Sequence, residues 1–282
     1  MSATQVSARV VSNEPAGAYH LITLDAPAVA AGAEPGQFIA AAVGGPQTAL
    51  LLRRSFALYT ADPATGLIQI VVAEHGPGTA WLVRVRPGTP LDVVGPLGRP
   101  FTLPAEPGTA VLVGGGYGSA PLFDLARRLR AIGSTVHMVV GAGSAERLFG
   151  TADARTVADS VVVTTDDGSV GVRGLVTDAL PGLLGPRGVS AVYACGPMAM
   201  LRAVGETAAS YDVPCEVAVE ESMACGIGVC MTCVLPVVGV DGRSRMVRSC
   251  IEGPVFDAGR VRWKDVGTLP VDVLGADAMD GH

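Results

Sequence analysis

The residues of this 282-residue chain best suited to chemistry are four cysteines. Cys225, Cys230 and Cys233 follow a C-x4-C-x2-C spacing, and Cys250 stands seventeen positions further on. Four thiolates can hold a 2Fe–2S cluster, and the first three carry the plant-type ferredoxin spacing. A loop wrapped around such a cluster should offer backbone N–H groups to its sulfurs and little side-chain bulk. Gly226 and Gly228 meet that need, because glycine permits close approach and a positive φ where the loop must curl. A structural zinc ion also takes four thiolates, but its ligands usually come as two C-x2–4-C clips. Here three ligands crowd one glycine-rich loop and the fourth comes from afar. That arrangement favours iron–sulfur, with a zinc-stabilised, non-redox scaffold as the alternative.

The elements ahead of this loop must position whatever it exchanges electrons with. Short apolar or alternating runs at 6–12, 20–25, 37–43, 55–60 and 67–73 are separated by turn signals such as Glu34-Pro35-Gly36. Strands of that length and spacing predict a sandwich or barrel. Three pieces of this region could carry chemistry. One is the pair Arg53-Arg54 with Ser55-Phe56-Ala57 after it. The second is a helix start over 76–82 containing Gly78 and Thr79, whose free N–H groups can hold phosphate. The third is Gly95-Pro96-Leu97-Gly98. Singly, they read as a solvated arginine pair, a helix cap and a turn.

Near residue 104 the pattern changes. A buried-strand run at 109–113 leads into Gly114-Gly115-Gly116-Tyr117-Gly118 and then a helical pattern over 122–132. Strand, glycine loop and helix is the layout of a nucleotide pyrophosphate site. The loop is not a strict G-x-G-x-x-G and fits an ordinary strand-to-helix connection equally well. Strands at 136–140, 161–164 and 191–194, with helices over 177–184 and 198–210, predict a parallel sheet flanked by helices. Asp166-Asp167-Gly168-Ser169 and Cys195-Gly196-Pro197 fall just past strand ends, the edge where ligands gather. Cys195 reads as a reactive thiol, a buried filler or a nicotinamide neighbour, and Cys215 as a core cysteine. Residues after 265 read as a loosely packed or disordered arm.

Composition bounds the function. The net charge of −6 offers no basic patch for nucleic acid. No run of eighteen apolar residues predicts a membrane span, and the N-terminus lacks a signal-peptide layout. Six cysteines, four of them in one motif, suit a reducing cytoplasm better than a disulfide framework. The chain is 49% hydrophobic but 5% aromatic, so its cores should be built from Val, Leu and Ala, in two or three domains.

The order of these pieces resembles the ferredoxin reductase superfamily, and more narrowly the electron-transfer subunits of class 1B dihydroorotate dehydrogenases. The resemblance rests on 223–233, 249–256, 165–169 and 114–121. It implies a multidomain β plus α/β protein. An N-terminal antiparallel β-barrel would bind FAD (1–103), a central parallel-sheet domain NAD(H) (104–212), and a small C-terminal domain one 2Fe–2S cluster (213–282). The flavin motif R-P-x-S falls on Arg54, Ser55, Phe56 and Ala57, with Arg54 toward the pyrophosphate and the backbone at 56–58 toward the isoalloxazine. Ser55 replaces Pro and Ala57 replaces Ser, so a hydroxyl usual near flavin N5 is missing. The resemblance implies further flavin contacts at Val71, Val72, Ala73, Gly78 and Thr79. It places a nicotinamide dinucleotide at Gly114, Gly115, Gly116, Gly118, Cys195, Gly196 and Pro197, and the cluster on Cys225, Cys230, Cys233 and Cys250.

NADH gives up two electrons together as hydride, whereas a 2Fe–2S cluster accepts one, and flavin does both. The implied activity is therefore NADH-dependent electron transfer with no protein acid or base. The implied partner is an FMN-containing subunit that oxidises dihydroorotate in pyrimidine biosynthesis, in a heterotetramer of two of each. A reductase subunit serving a different redox partner is the alternative. The stretch 141–147 has Arg147 but no basic cluster for a 2′-phosphate, which points to NADH over NADPH.

Overall fold

The computed structural model describes residues 3–45, 48–185 and 188–276. Alternating inward and outward residues build the first domain. Strands β1 (Thr4–Ala16), β2 (Tyr19–Asp25), β3 (Phe38–Ala41), β4 (Arg54–Asp62), β5 (Leu67–Val72) and β6 (Pro90–Leu97) close into a barrel in the order β1-β2-β5-β4-β3-β6. Every neighbouring pair is antiparallel. Two short helices, α1 (Pro27–Ala30) and α2 (Pro77–Leu82), pack on it. The strand β6 is not legible in the sequence, because its Gly95-Pro96 reads as a turn. It nevertheless alternates, with Leu91, Val93 and Leu97 inward.

The second domain is a sheet flanked by helices. Strands β7 (Thr109–Gly115), β8 (Thr135–Ala142), β9 (Ser160–Thr165), β10 (Val172–Arg173), β11 (Val189–Cys195) and β12 (Cys215–Ala218) run parallel. After β12 the chain makes a separate hairpin, β13 (Val234–Val238) with β14 (Ser244–Arg248). Then β15 (Val255–Asp257) returns antiparallel to β12, completing the order β10-β9-β8-β7-β11-β12-β15. The stretch 213–282 thus sends two strands into the central sheet.

Period-two patterning sorts the strands between two cores. On β7, Ala110 and Leu112 face the helices α3 (Ala120–Ala131) and α4 (Thr151–Val157). Val111 and Val113 face α5 (Leu180–Leu184) and α6 (Met198–Ser210). The first core runs on into the barrel through Tyr19, Tyr59, Val71 and Phe101. Polar ties reinforce the joint. The Tyr59 hydroxyl donates to Asp153 at 2.6 Å, Tyr19 to the Arg147 carbonyl at 2.7 Å, and Arg128 to the Ala33 carbonyl at 3.0 Å. Barrel and sheet are one packed body.

The tail departs from expectation. Arg262 pairs with Asp265 at 2.6 Å and Asp272 at 2.7 Å, Leu274 N–H donates to the Ser244 carbonyl at 2.8 Å, and Val273 is buried. These contacts, invisible in local composition, hold the arm on the hairpin as far as residue 276; 277–282 lie outside the described residues. Among the described residues no helix is long and apolar enough to cross a membrane.

Candidate functional site

Two cavities open between barrel and sheet, at the C-terminal edge of the parallel strands. The first, about 300 Å³, is lined from the barrel by Gly36, Phe38, Ser55, Phe56, Ala57 and Val71. From the sheet side come Tyr117, Gly118, Cys195 and the stretch 218–223 that leaves β12. The second, about 510 Å³, is lined by Gly115, Gly116, Gly141, Gly143, Asp166 and Pro197, among others. Tyr117 and Glu220 line both.

The barrel residues fall into two groups. Ser55, Phe56, Ala57 and Val71 face the first cavity. Val72 and Ala73 do not; their side chains are buried in the cores. The two adjacent arginines part company. Arg53 is consumed by structure, donating to the Asp92 carboxylate at 2.6 Å and to its carbonyl at 3.0 Å. Arg54 donates only to the Leu52 and Arg53 carbonyls and, among the described residues, pairs with no carboxylate. Its Nε lies 3.0 Å from where a Cβ on Gly78 would stand, so α2 begins against a free guanidinium. The Thr79 hydroxyl accepts from the His75 and Gly76 N–H groups and shapes that turn.

The glycine loop is sterically explained. A Cβ on Gly118 would stand 2.8 Å from Gly196 Cα and 3.1 Å from the Glu220 carboxylate, so bulk there would close the floor of the cleft. Gly114 packs under Ser119, while Gly115 and Gly116 face the second cavity. Cys195 lies on the first cavity and Pro197 on the second, with Gly196 against Gly115 between them. Burial and the Glu220 carboxylate push the Cys195 thiol up, which makes it a poor nucleophile. Cys215 is buried and pushed up to about 12, a core cysteine.

Glu220 is the residue that sequence reasoning passed over. Its carboxylate faces both cavities and is exposed to solvent, with enough protein around it to remove part of its hydration. That loss raises its pKa, and nearby His75 pulls it back. Tyr117, inside the glycine loop, is raised by burial and then by Glu220. The available signal was position: Glu220 follows β12 directly at the ligand-gathering edge.

The cysteine loop has no regular structure between β12 and β13. Gly226 (φ 71°), Gly228 (φ 82°) and Met231 (φ 58°) all take the left-handed conformation, so the loop curls three times in six residues. Its N–H and O–H groups point at sulfur: Ile227 N–H to Cys225 Sγ at 3.5 Å and Thr232 Oγ1 to Cys230 Sγ at 3.1 Å. The thiols associate as two pairs. Cys225 meets Cys230 in the loop, where the Thr232 hydroxyl draws the Cys230 thiol down. Cys233 meets Cys250, both buried against Phe38, Ala40 and Leu97 of the barrel. Among the described residues no three His, Cys, Asp or Glu side chains converge as a single-ion site requires. Of the two buried side-chain polar atoms without a partner among the described residues, Ser249 Oγ sits beside Cys250 and Thr164 Oγ1 beside Gly141 of the second cavity.

The cysteine loop also touches the first cavity's wall. A Cβ on Gly226 would stand 3.4 Å from Ala40 Cβ, 3.5 Å from Ser55 Oγ and 3.6 Å from Phe38.

With this geometry in place, similarity becomes informative. Residues 220–262 match the family described as the iron-sulfur cluster binding domain of dihydroorotate dehydrogenase B. The chain is 39% identical over 262 residues to the dihydroorotate dehydrogenase B (NAD(+)) electron transfer subunit of Geobacillus thermodenitrificans, covering 92% of this chain and 96% of that one. It is 34% identical over 245 residues to the corresponding protein of Desulforamulus reducens, covering 87% and 93%. The chain belongs to this family of electron transfer subunits. Its fold also matches a solved structure of an NADH-dependent reduced ferredoxin-NADP oxidoreductase, studied for flavin-based electron bifurcation. That match has a TM-score of 0.81 and 28% identity over 97% of this chain and 96% of that one. Family membership turns the paired thiols and the two adjoining cavities into one connected arrangement, with a cluster domain at one end and a nucleotide-type sheet edge at the other.

Proposed function

We propose that this chain is an oxidoreductase subunit that passes electrons between NAD(H) and the FMN of a dihydroorotate dehydrogenase catalytic subunit, through FAD and one 2Fe–2S cluster. One observation carries the reading: the cysteine loop abuts the wall of the first cavity, and that cavity shares Tyr117 and Glu220 with the second. Three carriers seated there would lie in sequence. Flavin supplies the exchange between two-electron and one-electron chemistry.

The chain's residues then have distinct duties. Arg54, with the backbone at Gly78 and Thr79, holds the FAD phosphates, while Ser55, Phe56, Ala57 and Val71 line the isoalloxazine. Val72 and Ala73 contribute backbone only. Gly114, Gly115, Gly116 and Gly118 keep the sheet edge open to the dinucleotide, and Cys195, Gly196 and Pro197 form the turn between the cavities. Cys225 with Cys230 and Cys233 with Cys250 take one iron each. No side chain need act as acid or base in the electron transfer itself. The functional units follow 1–103, 104–212 and 213–282, with β12 and β15 shared between the last two.

The partner side of the cluster loop is apolar. Ile227, Val229, Met231 and Ile251 are exposed around it, whereas Met223 packs inward. Exposed apolar patches mark docking sites, and Met adapts well to them. This rim receives the catalytic subunit in a heterotetramer of two of each, in the cytoplasm. The match of residues 220–262 to an iron–sulfur domain argues against the zinc scaffold. The test is anaerobic purification with iron, sulfide and flavin analysis, then mixing with the catalytic subunit. Two irons, two sulfides and one FAD per chain, with dihydroorotate oxidation coupled to NAD reduction in the complex, are expected. Stoichiometric zinc would sink the redox reading. A loaded chain that forms no complex and no coupled turnover would instead assign it to another redox partner.

A further inference from the structure

Among the described residues, Arg248 is the basic side chain that the structure ties to both halves of the cysteine set. It ends β14, whose register pairs it with Val234, the residue after Cys233. Its Nη1 donates to the Gly228 carbonyl at 3.0 Å, reaching across to the loop that carries Cys225 and Cys230. It stands two residues before Cys250 and, across the hairpin, opposite the residue after Cys233, which places its charge in the neighbourhood of both buried thiols. Glu252 holds it in a fork, Nη2 to Oε1 at 2.7 Å and Nε to Oε2 at 3.3 Å, and the same carboxylate accepts the Arg248 N–H at 2.9 Å. The pair is about two-thirds covered, with side-chain exposures of 34% and 30%.

We infer that Arg248, oriented by Glu252, is a positioning residue that sets the reduction potential of the cluster. Cluster potentials respond to net charge, hydrogen bonds to sulfur and exposure. A guanidinium is charged at every working pH, so it favours the more negative, reduced state continuously. Partial burial leaves that effect less screened than at a free surface. Glu252 fixes the guanidinium beside the thiolates and offsets part of its charge, so the two residues should pull the potential in opposite directions.

This inference rests on the cluster reading, and a wild-type chain without iron would fail that reading before Arg248 is tested. The experiment is an EPR-monitored redox titration of the loaded, full-length chain and its variants. Arg248→Gln, which keeps a donor for Gly228, should lower the equilibrium constant for cluster reduction about tenfold, equivalent to about 59 mV for one electron. Glu252→Gln should shift it the other way. A role confined to bracing the turn predicts shifts in one direction for both variants, or none, and either result overturns the inference. Should Arg248→Gln assemble no cluster, Arg248→Lys decides. A reduction constant within about threefold of wild type supports the charge effect, and a tenfold fall refutes it.

Discussion

The first cavity and the cysteine loop adjoin at the strands β3 and β4, yet they are built on opposite principles. The cavity is bounded by regular strands, a continuous apolar core and hydroxyl ties such as Tyr59 to Asp153. The loop has no regular structure, three left-handed residues, and sulfur as the target of its donors. The cavity's shape is a by-product of folding, whereas the loop's shape is specified by what four thiolates hold. A cofactor in the cavity adds affinity to a finished site. A cluster in the loop supplies part of the folding energy of that segment, as metal sites generally do.

The largest effect should come from breaking the loop's side of this contrast. Cys230→Ala leaves one iron short of a protein ligand, so the variant should contain no intact 2Fe–2S cluster. Because the barrel and the sheet supply most of the cavity's walls, and the loop adds only its approach over 219–223, the same variant should keep FAD and its reduction by NADH. Cluster EPR, flavin content and rapid-mixing reduction would show this. Loss of flavin along with iron would mean the two sites fold as one.

The converse break lies in the core. Phe123 is wholly buried and packs edge-on to Tyr59 of β4 at 5.3 Å and to Phe149 at 6.1 Å, so it joins helix α3 to the barrel. Phe123→Ala should cost roughly 3–5 kcal/mol, the usual range for deleting a buried phenyl ring. Chemical denaturation followed by tryptophan and flavin fluorescence would measure it. An undiminished midpoint would show that the hydroxyl ties alone hold the joint.

Between these extremes lies Arg54, which has a rigid backbone but no carboxylate partner. Arg54→Ala should weaken FAD binding by roughly 2–5 kcal/mol, the cost of removing one side of a desolvated charge pair. Flavin titration of stripped protein reads this directly, and unchanged affinity would detach Arg54 from the pyrophosphate. Arg53→Ala is the internal control. It removes the 2.6 Å pair to Asp92 and should lower stability rather than flavin affinity.

What the sequence disclosed follows the same division. The cysteine spacing and the strand, glycine loop and helix at 109–132 are local patterns, and both were legible. The strands β13, β14 and β15 were not, because Pro236 and the short β15 carry little alternation and find their partners only in tertiary structure. The return of β15 to β12 could not be read from composition, so the boundary at 213 falls inside one sheet. Glu220 and Tyr117 were missed for a related reason. A carboxylate next to a cysteine motif looks like loop polarity until two cavities are seen to meet at it.

The smallest predicted effect sharpens that last point, because it asks whether the cleft floor charges its carboxylate at a cost. Partial loss of hydration raises the Glu220 pKa, His75 partly offsets this, and Tyr117, Cys195 and Glu221 are the other titratable groups around it. An acid whose pKa is higher in the folded than in the unfolded chain contributes stability that is complete below the unfolded value, about 4.3 for glutamate. That contribution is lost as pH rises through the folded value, because ionisation then favours the unfolded chain. Glu220→Gln cannot ionise and so escapes the loss. Because Glu220 remains exposed, solvent screening keeps the effect small, and the variant should match wild type near pH 4 and melt slightly higher at pH 7–8. Thermal unfolding of the flavin-free protein across this range would resolve it. A variant destabilised at neutral pH would show that the ionised carboxylate is held by partners, and that the cleft floor is built to keep a charge rather than to resist one.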